Sequence, residues 1–172
     1  MLHLVRHGRP AIDPAVPARR WRLDHAHVDA VRELRSSGRV PAAAVWATSP
    51  EMKALETARA LTSGPVAVVD DLREHDRDAG WLEDFDDAVA RAFTDPDSQA
   101  VPGWEPLRAC GERVRTAYER LRAEHPTAPL VLVGHGTSWT LLVAHLLGLP
   151  VDSTLLPRWR SWGMPDVVSL DA

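Results

Sequence analysis

Leu2-His3-Leu4-Val5-Arg6-His7-Gly8-Arg9-Pro10 is the stretch that decides how this chain folds. Three of its first four residues are apolar, and the run then changes at once to Arg-His-Gly. A buried strand that ends by presenting a cation, an imidazole and a flexible backbone has this pattern. It returns far downstream as Pro129-Leu130-Val131-Leu132-Val133-Gly134-His135-Gly136, followed by a helix-like segment. With the two strands as parallel neighbours, His7 and His135 meet at their carboxyl ends, where open α/β sheets hold ligands.

The other elements are read outward from this pair. Residues 9 to 25 hold three prolines and Arg19-Arg20-Trp21-Arg22 without a period, and read as a loop. Val28, Val31 and Leu34 have helical spacing within 26–37, and Gly38 ends that helix. Residues 42–47 read as a second buried strand. Thr48-Ser49-Pro50 then opens a helix, with Pro near its first turn. That helix carries Met52, Leu55, Thr57, Ala58 and Leu61, and Ser63-Gly64-Pro65 stops it. Residues 66–69 read as a third strand.

Residues 70–97 break the rhythm, with 11 acidic and 3 basic residues. Phe85, Val89 and Phe93 predict one amphipathic helix there. The segment at about 70–104 is expected to be an insertion or lid beside the site, within a single domain spanning 1–172. Leu107, Cys110, Val114, Tyr118 and Leu121 mark a longer helix ending near His125-Pro126. A helix over about 137–147 follows the second histidine strand, and 166–170 reads as a last strand. The expected fold is α/β: a three-layer sandwich, its mostly parallel central sheet flanked by helices.

Composition narrows the function classes. The net charge of −4 argues against a nucleic-acid partner, since such proteins are normally basic. His3 and Arg6 interrupt the apolar start, against a secretory signal. The longest apolar stretch, 141–151, contains His145 and Pro150 and is too short to span a bilayer, so no membrane is expected. The single cysteine, Cys110, excludes an internal disulfide and fits a reducing compartment. A soluble, cytoplasmic protein is expected, with its oligomeric state open.

A neutral histidine at a strand end can attack phosphorus and carry the phosphoryl group covalently. Nearby cations keep such a ring unprotonated. Arg6 offers a planar fork of donors matched to phosphoryl oxygens, and Gly8 lets a substrate approach the backbone. Taken alone, the tripeptide fits an incidental histidine after a buried strand equally well. His135, between glycines at a strand-to-helix junction, sits where backbone N–H groups and the helix dipole favour an anion. Both motifs together, at matching strand ends, carry the phosphoryl-transfer reading.

Arg6-His7-Gly8, Thr48-Ser49-Pro50 with Thr57-Ala58, Leu72-Arg73-Glu74, Gly111-Glu112 and His135-Gly136 resemble, in order and spacing, the histidine phosphatase superfamily, whose fold is phosphoglycerate mutase-like. The resemblance implies that His7 is the phosphorylated nucleophile. It places Arg6, Lys53, His135 and Gly136 around the phosphate. It makes Glu74 the general acid that protonates the leaving oxygen and later activates water. It calls for no metal and no cofactor, and for a small phosphorylated metabolite as partner.

Three departures mark this chain. Lys53, its only lysine, stands where the family places a second phosphate-binding Arg and lacks the bidentate fork. Arg9-Pro10 replaces the usual Glu-Thr pair. Gly80-Trp81-Leu82-Glu83 only approximates the Trp-Glu-Gly of the family's lid.

Further candidates surround this core. His75 and Asp76 compete with Glu74 for the acid role. Trp21, Trp81 and Trp104 are expected to rim the pocket, and Trp46 and Trp139 to lie in the core. Arg9, Arg20 and Arg22 are expected at the rim, and Glu112 near the pocket in an orienting role. His25 and His27 lack further ligands, and the acidic run reads as solvated surface, so no metal site is expected. The reading is a phosphatase of small phosphomonoesters. A phosphoglycerate mutase-type phosphotransferase is one alternative, for which the chain is short. A catalytically impaired phosphate-binding module is the other, pointed to by Lys53 and Arg9-Pro10.

Overall fold

The computed structural model describes residues 1–78 and 80–171; within the 70–104 segment, Ala79 lies outside the described residues. The central sheet is built from β1 (Leu2–Arg6), β2 (Val45–Thr48), β3 (Ala67–Val68), β4 (Leu130–Gly134) and β5 (Asp166–Leu170). Their order is β3-β2-β4-β1-β5, and β5 alone runs antiparallel to its neighbour. The flanking helices are α1 (Val28–Ser36), α2 (Met52–Leu61), α3 (Phe85–Thr94), α4 (Leu107–Glu124), α5 (Gly136–Leu146) and α6 (Leu156–Ser161).

Alternation along the strands sorts the two faces. Leu2, Leu4, Leu130 and Leu132 join Phe93, Val114, Trp139 and Leu142 from α3, α4 and α5. Val5, Val131 and Val133 join Val31 and Leu34 of α1 and Ala54, Ala58 and Leu61 of α2. Helices thus cover both faces of a mostly parallel sheet, the three-layer sandwich that the element order predicts.

The histidine strands are parallel neighbours in the register Arg6↔Gly134. The His7 N–H continues the ladder by donating to the Gly134 carbonyl at 2.9 Å. Trp139, fully buried on α5, donates from Nε1 to the Val5 carbonyl at 2.8 Å and ties this helix to β1. No described helix is long and apolar enough to cross a membrane.

Several boundaries differ from expectation for identifiable reasons. The second strand is Val45–Thr48, and the next helix begins only at Met52. Pro50 therefore precedes the helix instead of lying in its first turn. Glu51 is extended (φ −70, ψ 134) and its side chain turns inward to Lys53 and to the Glu74 N–H, which delays helix entry. The third strand shrinks to two exposed residues at the sheet edge. α6 was not foreseen, because six residues beginning around Pro157 carry too little period to read.

Trp104 also corrects an expectation. It is 1% exposed, so it belongs to the core and not to the rim. Gly103 at φ 88 turns the chain inward just before it, and its ring meets His75 edge-on at 5.4 Å. Together with Val89 and Phe93, Trp104 anchors the acidic 70–104 segment to the main core.

Replacing Trp139 by Ala should cost about 3–5 kcal/mol, from the cavity and the lost Nε1 hydrogen bond. Urea unfolding of the two proteins measures it, and a loss below about 1 kcal/mol would contradict the role given to this residue.

Candidate active site

The register of β1 and β4 brings the two imidazoles to a centroid distance of 5.1 Å, inclined by 64°. His7 Nδ1 donates to the Gly8 carbonyl at 2.7 Å. A carbonyl only accepts, so Nδ1 carries the proton and the neutral ring keeps its lone pair at Nε2. Burial holds the His7 pKa far below the ordinary value, and the nearby His135, Lys53 and Arg6 push the same way. The Gly8 carbonyl bond opposes them without prevailing. His7 is thus an unprotonated imidazole.

His135 is fully buried. Its Nε2 meets Ser49 Oγ at 2.7 Å, while its Nδ1 has no partner. Arg6 mirrors this: one terminal nitrogen donates to the Trp162 carbonyl at 2.7 Å, and Nε is buried without a partner. A Cβ on Gly136 would stand 3.3 Å from the Arg6 guanidinium carbon, so glycine there lets the cation lie against the start of α5. Arg6 Nε and His135 Nδ1 thus lie on facing elements as buried polar atoms open to a further partner. Thr57 Oγ1 accepts the Gly8 N–H at 3.0 Å and donates to the Lys53 carbonyl, fastening the His7 loop to α2.

Glu74 lies against the N-terminus of α5. Oε1 accepts the His75 N–H at 2.9 Å, the Ser138 N–H at 3.2 Å and the Ser138 hydroxyl at 3.3 Å. Burial alone would raise its pKa. The Arg77 charge, the adjoining His135 ring and the backbone donor overcome that, and the carboxyl sits well below its usual range. Glu74 is ionised in the empty site.

Of its two neighbours, His75 has both ring nitrogens engaged, while Asp76 is bonded, among the described residues, only through its backbone. His75 Nε2 donates to the Glu105 carbonyl while Nδ1 accepts from Arg77 Nε at 3.2 Å, so neither nitrogen is free for acid duty. Burial, aided by Arg77, lowers its pKa to about 4. Asp76 receives Glu105 Oε2 on its backbone N–H and returns its carbonyl to the Glu105 N–H.

Lys53 is buried, as a pocket residue would be, but its ammonium is committed: it donates to Glu51 Oε2 and, at 2.8 Å, to the Ala18 carbonyl. Glu51, also buried, spans further. Oε1 accepts the Glu74 N–H at 2.8 Å and stands 3.6 Å from His135 Nε2.

The rim candidates divide. The Trp21 carbonyl accepts the Lys53 N–H at 3.1 Å, and the Trp21 ring packs on Trp81 at 6.4 Å, so Trp21 is tied to the start of α2 and the two rings touch each other. Arg22 is tied to Glu56, and Arg9 approaches only His27 Nε2 at 3.4 Å. Arg20 is exposed in the short 3-10 turn Ala18–Arg20. Glu112 is exposed on α4 beside Arg108 and has no bond to the paired histidines among the described residues.

Sequence reasoning missed Glu51, Arg77, Thr137 and Ser138. Glu51 gave no signal of its own, since α2 also carries Glu56 and Arg59 and a charge at its start is unexceptional. For the others, only folding brings 70–78 against α5. Among the described residues, no group of three His, Cys, Asp or Glu side chains is placed to hold a metal ion.

Fold and site together define a phosphoglycerate mutase-like α/β protein with paired histidines at adjacent strand ends. The description "Histidine phosphatase superfamily (branch 1)" matches residues 2–160, and the chain belongs to that superfamily. Among solved structures, Bacillus stearothermophilus YhfR is 19% identical with a TM-score of 0.77, covering 99% of this chain and 91% of that one. A mycobacterial glucosyl-3-phosphoglycerate phosphatase is 25% identical with a TM-score of 0.70, covering 91% and 82%. A phosphoserine phosphatase of Entamoeba histolytica, solved with phosphoserine, is 15% identical with a TM-score of 0.77, covering 96% and 87%. A comparison with curated proteins finds no match.

His7, His75 and His135 all bind protons less readily folded than unfolded. The stability they hold is complete above the ordinary histidine pKa near 6.5 and is lost as pH falls below it. For His75, held at about 4, the loss is on the order of 3 kcal/mol by pH 4. Urea unfolding across that window checks it; a flat profile would contradict these assignments.

Proposed function

We propose that this protein hydrolyses small-molecule phosphomonoesters in two steps through a phosphohistidine on His7. The observation that carries the reading is the facing pair of His7, with its lone pair on Nε2, and His135, with its buried and unpartnered Nδ1. In the first step His7 Nε2 attacks phosphorus and the ester P–O bond breaks. His135 Nδ1 and Arg6 Nε then satisfy the phosphoryl oxygens as charge moves onto them. Glu74 hands a proton to the leaving oxygen. In the second step the same carboxyl takes a proton from water, which attacks phosphorus and frees His7.

Glu74 is ionised when the site is empty, so the proton it delivers must arrive with the substrate. An incoming phosphoryl anion raises the carboxyl's proton affinity, and a phosphomonoester with second pKa about 6 brings a proton of its own near neutral pH. Small substrates are supported by the similar phosphatases, which act on glucosyl-3-phosphoglycerate and phosphoserine. A cytoplasmic setting belongs to the same proposal, supported by a single, buried free thiol, Cys110.

A second reading, a phosphate-binding module with impaired turnover, is favoured by one observation: the Lys53 ammonium is occupied by Glu51 and Ala18. One experiment separates the two. With a panel of sugar phosphates, phosphorylated acids, nucleotides and phosphopeptides, His7→Ala should lose at least about a thousandfold in kcat/KM. Labelled substrate should also leave a base-stable, acid-labile phosphoenzyme on the wild type. Turnover that survives His7→Ala contradicts the phosphohistidine route, and phosphate binding without turnover of any ester favours the module.

A further inference from the structure

The buried pair Glu51–Lys53 lies inside the phosphoryl pocket, and neither the family resemblance nor the reaction above gives Glu51 a role. Both side chains are more than nine-tenths buried, so neither charge is screened by water. Glu51 touches three parts of the site at once: the Lys53 ammonium, the backbone N–H of Glu74, and the edge of His135 at 3.6 Å. We propose that Glu51 is a positioning residue that couples phosphoryl binding to the uptake of one proton. This rests on the proposed phosphoryl pocket between His7 and His135.

Charged groups face the two imidazoles from several elements. Arg6 at the end of β1, Lys53 on α2 and Arg77 beside α5 are cations. Glu51 before α2 and Glu74 beneath α5 are anions, and His7 and His135 are neutral. The empty pocket therefore carries one net positive charge. A dianionic phosphoryl group turns that into one net negative charge in a site that excludes water, and an uncompensated buried charge is expensive. One proton restores neutrality. His135 can take it, because Glu51 lies 3.6 Å from Nε2 and favours the imidazolium. Without the Glu51 charge the same pocket would match a dianion with no proton at all. The balance is simple: one dianion and one proton enter, and no covalent bond changes.

Lys53 shows the positional half of the role. Its ammonium is drawn to Glu51 and the Ala18 carbonyl, so Glu51 holds back a cation that would otherwise reach the anion directly.

The test is calorimetric titration of the full chain with inorganic phosphate at pH 8, in buffers of differing ionisation enthalpy, which reads protons taken up per phosphate bound. The wild type should take up about one. Glu51→Gln keeps an acceptor for the Glu74 N–H but removes the charge. Its uptake should fall below about half a proton, with phosphate bound about tenfold more tightly because Lys53 is released. Lys53→Gln removes a cation and should move the other way, with weaker binding and no loss of proton uptake. It also decides the matter if Glu51→Gln does not fold. Wild-type binding without proton uptake, no phosphate binding, or unchanged uptake in Glu51→Gln each overturn the proposal. The phosphohistidine reading stands or falls separately, on turnover by His7→Ala.

Discussion

Everything in the site depends on one backbone contact, the parallel pairing of β1 with β4 carried past the strand end by the His7 N–H on the Gly134 carbonyl. Parallel register fixes both chains in the same direction, so the residues that follow the two strands emerge side by side. His7 and His135 owe their 5.1 Å separation to that register. A slip of one residue would exchange Leu and Val between the two cores and carry the imidazoles apart. The cores therefore hold the site as much as the site's own hydrogen bonds do. Trp139, packed in one core and bonded to the Val5 carbonyl, joins the two requirements in a single side chain.

Burial then determines what these groups can do. In water His7 would be partly protonated near neutral pH, and Glu74 would be an ordinary carboxylate. Enclosed, His7 stays neutral because desolvation and three neighbouring positive or protonatable groups act in the same direction. Glu74 goes the opposite way to simple burial, since Arg77, His135 and the N-terminus of α5 stabilise its charge more than desolvation penalises it. The empty site thus contains a ready nucleophile, an ionised carboxylate and two unpartnered donors.

Much of this was legible in the sequence because it rests on local pattern. The two apolar runs ending in histidine read as parallel neighbouring buried strands, and the structure pairs them so. Arg6, Lys53 and Glu74 were readable from motif order. What escaped depends on long-range folding. Arg77 reaches Thr137 Oγ1 at 2.7 Å across sixty residues of chain, and no local period announces that. Trp104 reads as a loop residue because its turn is exposed in sequence terms, while Gly103 folds it inward. Glu51 reads as an ordinary polar residue near a helix start, because its burial arises only when the 70–78 segment closes over it. Glu112 illustrates the reverse: a motif position whose side chain the fold leaves on the outer face of α4.

The central claim is that His7 and His135 address one phosphoryl group from adjacent strand ends. A crystal structure with orthovanadate tests it most directly. The account predicts vanadium within bonding distance of His7 Nε2, with His135 Nδ1 and Arg6 Nε donating to its equatorial oxygens. Vanadate bound away from His7, or bound there with His135 Nδ1 still unpartnered, would contradict it.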